Sequence, residues 1–341
     1  MKKRILTLLC IVVFCSHDMY LKLDSYILQP NQKSKIQLFN GTFDKSENTI
    51  DRDRMLDASL LGNGVRTKIE DAQWEEIDST TILSFTAGNS GTWIVGVSTR
   101  PRNIAMKAEA FNKYLKHDGV KDMLTERAEN KTLNQDAVEK YSKHVKAIFQ
   151  VGDKKTADWK TILGYPIEFV PVENPYNLYT GDNLQVKLLR NGVPLANQLV
   201  YADYRASKHG HHHNSTEEHS HGEKTHSHKK DEKHSHEDNN AADDHTHTTG
   251  QELRTDSNGI ATVNLTNDGI WYLRTIHLVN SEEKGLTHES NWATLTFEVT
   301  HHHRSEEHHN HAKEDGLPMY IFIVGSIIFV AILFFFFNRE K

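Results

Sequence analysis

Residues 208–247 read KHGHHHNSTEEHSHGEKTHSHKKDEKHSHEDNNAADDHTH, a stretch with almost no apolar side chain. A segment of that composition cannot bury enough surface to offset the entropy of ordering it. Whatever the chain folds into must carry it as an insertion between folded pieces. Loop closure costs entropy that grows only logarithmically with length, so a β framework tolerates the insertion.

The flanks are strand-like. Residues 183–189 and 198–204 precede the run, and residues 260–265 and 270–279 follow it, with turns at Asn191-Gly192 and Asn267-Asp268-Gly269. Trp292, Thr294, Thr296 and Glu298 alternate with Ala293, Leu295, Phe297 and Val299, the period of two that marks a strand. Many short strands between glycine turns predict a β-sandwich over 164–300, with the histidine-rich run, 208–249, as a loop in a hairpin-like connection. A first β-rich domain is expected over 17–158. There Met19, Leu21 and Leu23 alternate with Asp18, Tyr20 and Lys22, and further strand-like runs cover 34–39, 81–85 and 91–99. Between 105 and 144, apolar residues such as Phe111, Tyr114, Met123, Ala137 and Tyr141 recur at helical spacing among charges. That pattern predicts a helical insertion before a returning strand at 145–151.

Both ends are apolar. A basic start, Lys2-Lys3-Arg4, followed by an apolar stretch to Phe14, predicts a signal peptide over 1–16. Residues 317–337 carry no charge and are long enough to cross a bilayer as one helix. Arg339 and Lys341 then mark a cytoplasmic tail, 338–341. The bulk of the chain is expected outside the cell membrane, in the periplasm where there are two membranes. Cys10 and Cys15 are the only cysteines and lie in or beside the leader, so the body has no disulfide framework and no thiolate metal site. With 40 Lys and Arg against 46 Asp and Glu, no basic surface argues for nucleic acid.

The chemistry lies in the histidines. A neutral imidazole nitrogen is a good ligand for nickel, cobalt, zinc and copper. The run offers His209, the triplet His211, His212 and His213, and the repeated pairs His219 with His221, His226 with His228, His234 with His236 and His245 with His247. Residues two apart in an extended chain point the same way, so each pair presents two ligands to one ion. Interspersed Asp and Glu raise the local cation concentration. Free imidazole titrates near about 6.5, so binding weakens as protons compete for the same nitrogen. A juxtamembrane stalk, 301–316, repeats the bias with His301, His302, His303, His308, His309 and His311. His117 and His144 fall in the expected helical region and read as solvated or capping residues, and His277 reads as a hydrogen-bonded strand residue. His17 would chelate through its amine and imidazole together if cleavage falls just before it.

Several segments resemble one extracytoplasmic family: HDMYLK from His17, LFNGTFDKSENTIDRDRM, the run Tyr141-Ser142-Lys143-His144 with AIFQVG, NPYNLYTGDNLQVKLLRNGVPL, TDSNGIATVNL and WATLTFEV. It is a family of domains of unknown function whose members often bear names such as nickel-uptake or cobalt-transport periplasmic component. The resemblance implies two β-sandwich domains, immunoglobulin-like or carboxypeptidase-regulatory-like, and brings no catalytic residues with it. It also implies that His277 occupies a position often held by histidine, which points to His17 and His277 as a folded site.

The expected function is a membrane-anchored, single-pass extracytoplasmic binder of divalent transition metals, accessory to uptake or homeostasis, with a metal permease as partner and no organic cofactor. One transmembrane helix cannot form a polar path through lipid by itself. The alternative is a structural or adhesive surface module in which the histidine run is a spacer. No enzyme is expected, because the chain has no Gly-rich phosphate loop, zinc-protease helix or serine-nucleophile motif. Asp51, Asp53 and Asp57, near Arg52 and Arg54, read as a solvated turn.

Overall fold

The computed structural model describes residues 18–206 and 249–301. The expected leader, transmembrane helix and tail lie outside the described residues. So does the histidine run except its last residue, Thr249, and so does the stalk except His301. The chain divides into a unit ending at His301 and a second unit, 302–341, that lies wholly outside the described residues. Among the described residues no helix is long and apolar enough to cross a membrane.

The first strands are β1 (Asp18–Leu23), β2 (Ile27–Leu28), β3 (Lys33–Gly41), β4 (Met55–Gly62) and β5 (Val65–Lys68). Next come β6 (Trp74–Ile77), β7 (Thr80–Thr86), β8 (Gly91–Thr99) and β9 (Arg102–Met106). Two helices, α1 (Ala108–His117) and α2 (Lys121–Glu129), precede the long β10 (Ala137–Val151). The rest is β11 (Ile167–Pro171), β12 (Asn183–Arg190), β13 (Val193–Pro194), β14 (Leu199–Arg205), β15 (Gln251–Arg254), β16 (Ile260–Asn264), β17 (Gly269–Asn280) and β18 (His288–Val299). The fold is mainly β and sandwich-like, with few helices.

Among the described residues the strands form three sheets. The largest runs β15-β14-β17-β18-β10-β8-β4-β5, with β2 and β9 also paired to β10. A four-stranded sheet, β1-β3-β7-β6, packs on one of its faces, and the sheet of β11, β12, β13 and β16 packs on the other. Alternation along the central strands feeds both layers. On β10, Val145, Ala147 and Phe149 enter the core shared with Leu21 and Ile36, while Ile148 enters the core shared with Phe169 and Val186. On β18, Thr294 and Thr296 turn the other way from Leu295 and Phe297, and their hydroxyls donate to Met19 O (2.8 Å) and Leu21 O (2.5 Å) on β1. Those bonds close the outer edge of a strand paired on one side only by β3.

Three expectations change. The two halves were expected to separate near 158–164, but they share the central sheet. β10 pairs in parallel with β18, from Glu139 opposite His288 to Ala147 opposite Thr296. The intervening segment is pinned as well: Asp158 accepts from Asn63 N (3.0 Å) and Gly64 N (2.7 Å) in the β4–β5 turn. Second, the helical insertion is shorter than 105–144. Residues from Ala137 onward, including Tyr141 and His144, are strand. Third, Asn191-Gly192 does make a turn, both residues having positive φ (50° and 78°), as a tight hairpin requires. It joins β12 to β13, however, and β14 belongs to the central sheet.

The misreading of β10 has a physical cause. Its charged residues look like the wet face of a helix, but they are buried and satisfied. Lys146 Nζ meets Glu168 Oε2 at 2.8 Å, with exposures of 1% and 0%. Glu168 also accepts from Leu163 N and Gly164 N, both at 2.9 Å. Lys143 donates to Asn40 Oδ1, and Glu139 accepts from Tyr114 and Ser290 hydroxyls. A strand covered on both faces has no polar side to declare itself by periodicity.

Candidate metal-binding site

The histidine run leaves β14 and returns on β15, a short strand that the sequence reading did not single out before the one starting near 260. β14 pairs antiparallel with β15, from Leu199 opposite Arg254 to Ala202 opposite Gln251. The short β15 ends the sheet, and α2 holds it there. Arg254 Nη2 meets Asp122 Oδ1 at 2.6 Å, and Lys121 pairs with Glu252. At the mouth of the insertion, Asp203 ties the two ends together. Its Oδ2 accepts from Thr249 Oγ1 (2.7 Å), Arg205 Nη1 (3.1 Å) and Tyr272 OH (3.2 Å). Burial raises the Asp203 pKa, but the Thr249 hydroxyl, the Tyr204 backbone N–H and the Arg205 guanidinium together hold it below its ordinary value. Arg205 Nε also reaches both oxygens of Asp44 at 3.0 Å.

The second cluster starts beside the first. β14 and β18 both flank β17, with Arg205 opposite Ile270 and Gly269 opposite Val299. The end of β14 and the end of β18 therefore lie at one end of the sheet, two strand spacings or about 10 Å apart. Gly269 sits between them, and a Cβ there would stand 2.3 Å from Arg205 O and 3.2 Å from Ala206 Cα. Only glycine fits so close an approach at φ 133°. The residue before it, Asp268, lies 3.5 Å through Oδ1 from His301 Nε2, and His301 Nδ1 is 3.1 Å from Thr180 Oγ1. The chain of neighbours from Ala206 through Gly269 and Asp268 to His301 links the roots of the two histidine-rich stretches.

His277 belongs elsewhere. It sits on β17 eight residues from Gly269, roughly 26 Å along the strand at about 3.3 Å per residue. Burial and the Arg190 charge lower its pKa, with Glu289 opposing. Its Nδ1 is buried and has no hydrogen-bond partner among the described residues. On the other face of that strand, Arg274 Nε pairs with Asp18 Oδ2 at 2.8 Å, both side chains 2% exposed. Asp18, the residue after His17, therefore lies across the sheet from His277, and the described residues do not assemble the expected His17–His277 site. His17 itself lies outside them.

Of the two histidines read as solvated or capping, His144 departs from that reading. His144 is buried on β10, with Nδ1 2.9 Å from Ser98 Oγ and Nε2 3.0 Å from Ser142 Oγ. Burial pushes its pKa down to about 4, so it is a neutral member of the core. His117 is partly exposed at the end of α1, with Nδ1 2.9 Å from Asp118 Oδ1. Among the described residues no group of three or more His, Cys, Asp or Glu is arranged to hold a metal ion. His209, His211, His212, His213, His219, His221, His226, His228, His234, His236, His245 and His247 lie outside the described residues, as do His302, His303, His308, His309 and His311. Sequence reasoning missed the anchors Asp203, Asp268 and Gly269. The Asn-Asp-Gly turn was visible, but its place beside both roots depends on strand order.

A family model described as "Domain of unknown function (DUF4198)" matches residues 15–279. No curated protein matches. Among solved structures, the chain is similar to a DUF4785 family protein from Legionella pneumophila at 10% identity, covering 53% of this chain and 37% of that one, with a TM-score of 0.21. It is also similar to the D0-D1 domain of intimin at 9% identity (82% of this chain, 97% of that one, TM-score 0.17). The Yersinia pseudotuberculosis adhesin InvE matches at 12% identity (83% and 58%, TM-score 0.19). At such scores the likeness carries no argument about function.

Proposed function

We propose that this chain, which belongs to the DUF4198 family of domains of unknown function, is an extracytoplasmic, membrane-anchored binding protein for divalent transition metals, accessory to metal uptake or homeostasis. One observation carries the reading. Both histidine-rich stretches leave the fold at the same end of the central sheet, from strands that flank β17. Within the long run, two His-x-His pairs supply a four-coordinate set to one ion.

The apolar segment 317–337 keeps both stretches close to the lipid, where a permease would take the ion. Imidazole chemistry alone ranks copper tightest, and the resemblance to nickel-uptake and cobalt-transport components favours nickel or cobalt as cargo.

Calorimetric titration of the full-length protein with nickel, cobalt, zinc and copper, near neutral pH, tests the reading. Deleting 208–247 or replacing His301, His302, His303, His308, His309 and His311 by Gln is expected to weaken nickel binding at least tenfold each, and the two changes together to abolish it. Unchanged metal binding in the double variant would sink the proposal and favour a surface module with a spacer.

A further inference from the structure

The helical insertion shelters a cavity that metal binding does not use. It measures about 280 Å³. Its floor is Met123, Arg127 and His288, all buried, and Asn130, Gln135 and Asn280 stand exposed at its rim.

Arg127 on α2 is 4% exposed, yet it pairs with no carboxylate among the described residues. Its Nε donates to Asn112 Oδ1 (3.0 Å), and its Nη2 donates to Thr132 O (2.8 Å) and Gln135 O (2.7 Å). Every one of those acceptors is neutral, and Nη1 makes no bond to the described residues. The guanidinium lies over the Phe111 ring at 4.8 Å, and burial lowers its pKa. Buried charges are ordinarily paired, because desolvating one alone is costly.

His288 shares that ring, with centroids 4.6 Å apart. Its Nδ1 is 2.7 Å from Thr287 Oγ1, which lies 3.1 Å from Val138 O and accepts from Val138 N at 2.8 Å. The hydroxyl has one proton, for Nδ1 or for Val138 O, which Thr287 N already supplies at 2.8 Å. Nε2 makes no bond to the described residues. The cavity floor thus offers a guanidinium nitrogen and an imidazole nitrogen that the described residues leave open.

We propose that this cavity binds a small oxyanion bearing its own hydroxyl, such as an α-hydroxycarboxylate or hydrogen phosphate. Arg127 Nη1 donates to the charged oxygen, and the ligand hydroxyl, which both donates and accepts, bonds His288 Nε2 in either tautomer. Planar guanidinium suits both carboxylate and phosphate. Two acids stand near the mouth and are already engaged. Glu126 Oε1 accepts from Asn280 Nδ2 at 2.6 Å, and Asp136 pairs with Lys107 at 2.7 Å. They disfavour a dianion, so lactate is favoured over hydrogen phosphate, which is doubly charged.

Calorimetry on the full-length, metal-free protein, at constant ionic strength in sodium chloride and at about pH 8 to keep free imidazoles neutral, decides the matter. Sodium lactate, sodium phosphate and sodium acetate are the probes. Lactate is expected to saturate one site per chain, and acetate, which lacks the hydroxyl, to bind at least fivefold more weakly. Arg127→Lys is expected to weaken lactate at least tenfold. Gln135→Glu places a charge on the exposed rim and is expected to weaken lactate at least threefold with an unchanged melting temperature, so the test holds even if Arg127→Lys does not fold. Absence of saturable heat with both lactate and phosphate, or a Gln135→Glu protein that binds lactate as wild type does, overturns the proposal.

Discussion

At the residue scale the notable feature is how much polarity the central sheet buries. His144, hydrogen-bonded to Ser98 and Ser142, titrates in the fold at about 4 against 6.5 when free. Its folded pKa is depressed, so its contribution is fully present above about pH 6.5 and is lost as pH falls toward 4. At about pH 5 that loss is roughly 2 kcal/mol. Glu139 runs the other way: burial raises it from 4.5 to about 7, so its contribution is full below 4.5 and fades as pH rises through 7. His144→Asn has nothing to titrate at that position. Its stability, measured by urea denaturation from neutral pH down to about pH 4, is expected to fall less steeply than that of wild type. Equal slopes for the two proteins would show that His144 takes its proton in the folded state.

At the element scale, β1 depends on two hydroxyls. Thr294 and Thr296 satisfy Met19 O and Leu21 O on the edge that β3 leaves open. A buried carbonyl without a partner costs about 1–3 kcal/mol. Replacing both threonines by valine keeps the shape and removes both hydroxyls; Leu21 O keeps the Tyr26 hydroxyl at 3.3 Å, so the loss falls mainly on Met19 O and the denaturation midpoint is expected to drop by the equivalent of about 1–3 kcal/mol. A shift of a few tenths would mean that water replaces the hydroxyls. Strand periodicity made β1, β3, β7, β8, β12, β14 and β18 legible in sequence, because each shows one apolar face or a run bounded by turn residues. β10 was not legible over its first half, because Glu139, Lys143, His144 and Lys146 are buried with partners more than twenty residues away in sequence or on another layer.

At the scale of the whole molecule, a sequence boundary near 158–164 hides a shared sheet. The parallel pairing of β10 with β18 brings residues about 150 apart in sequence into register. A chain truncated after residue 160 would leave β10 without that neighbour and expose Val145, Ala147 and Ile148 along an open edge. It is expected to show no cooperative thermal transition by circular dichroism, whereas 17–301 unfolds in one step. A sharp transition in the truncated chain would mean that the first half folds by itself.

Composition alone determined the chemistry on offer, since clustered imidazoles without cysteine leave nitrogen as the soft ligand, and it determined that 208–247 must be an insertion. The β character followed from alternation and turn residues, which act over a few neighbouring positions. Only tertiary structure decided that both histidine-rich stretches start from one end of one sheet, that His277 faces away from Asp18, and that Arg127 is buried with no counter-charge among the described residues. Those facts depend on strand order and layer, which long-range pairing sets and no local pattern records.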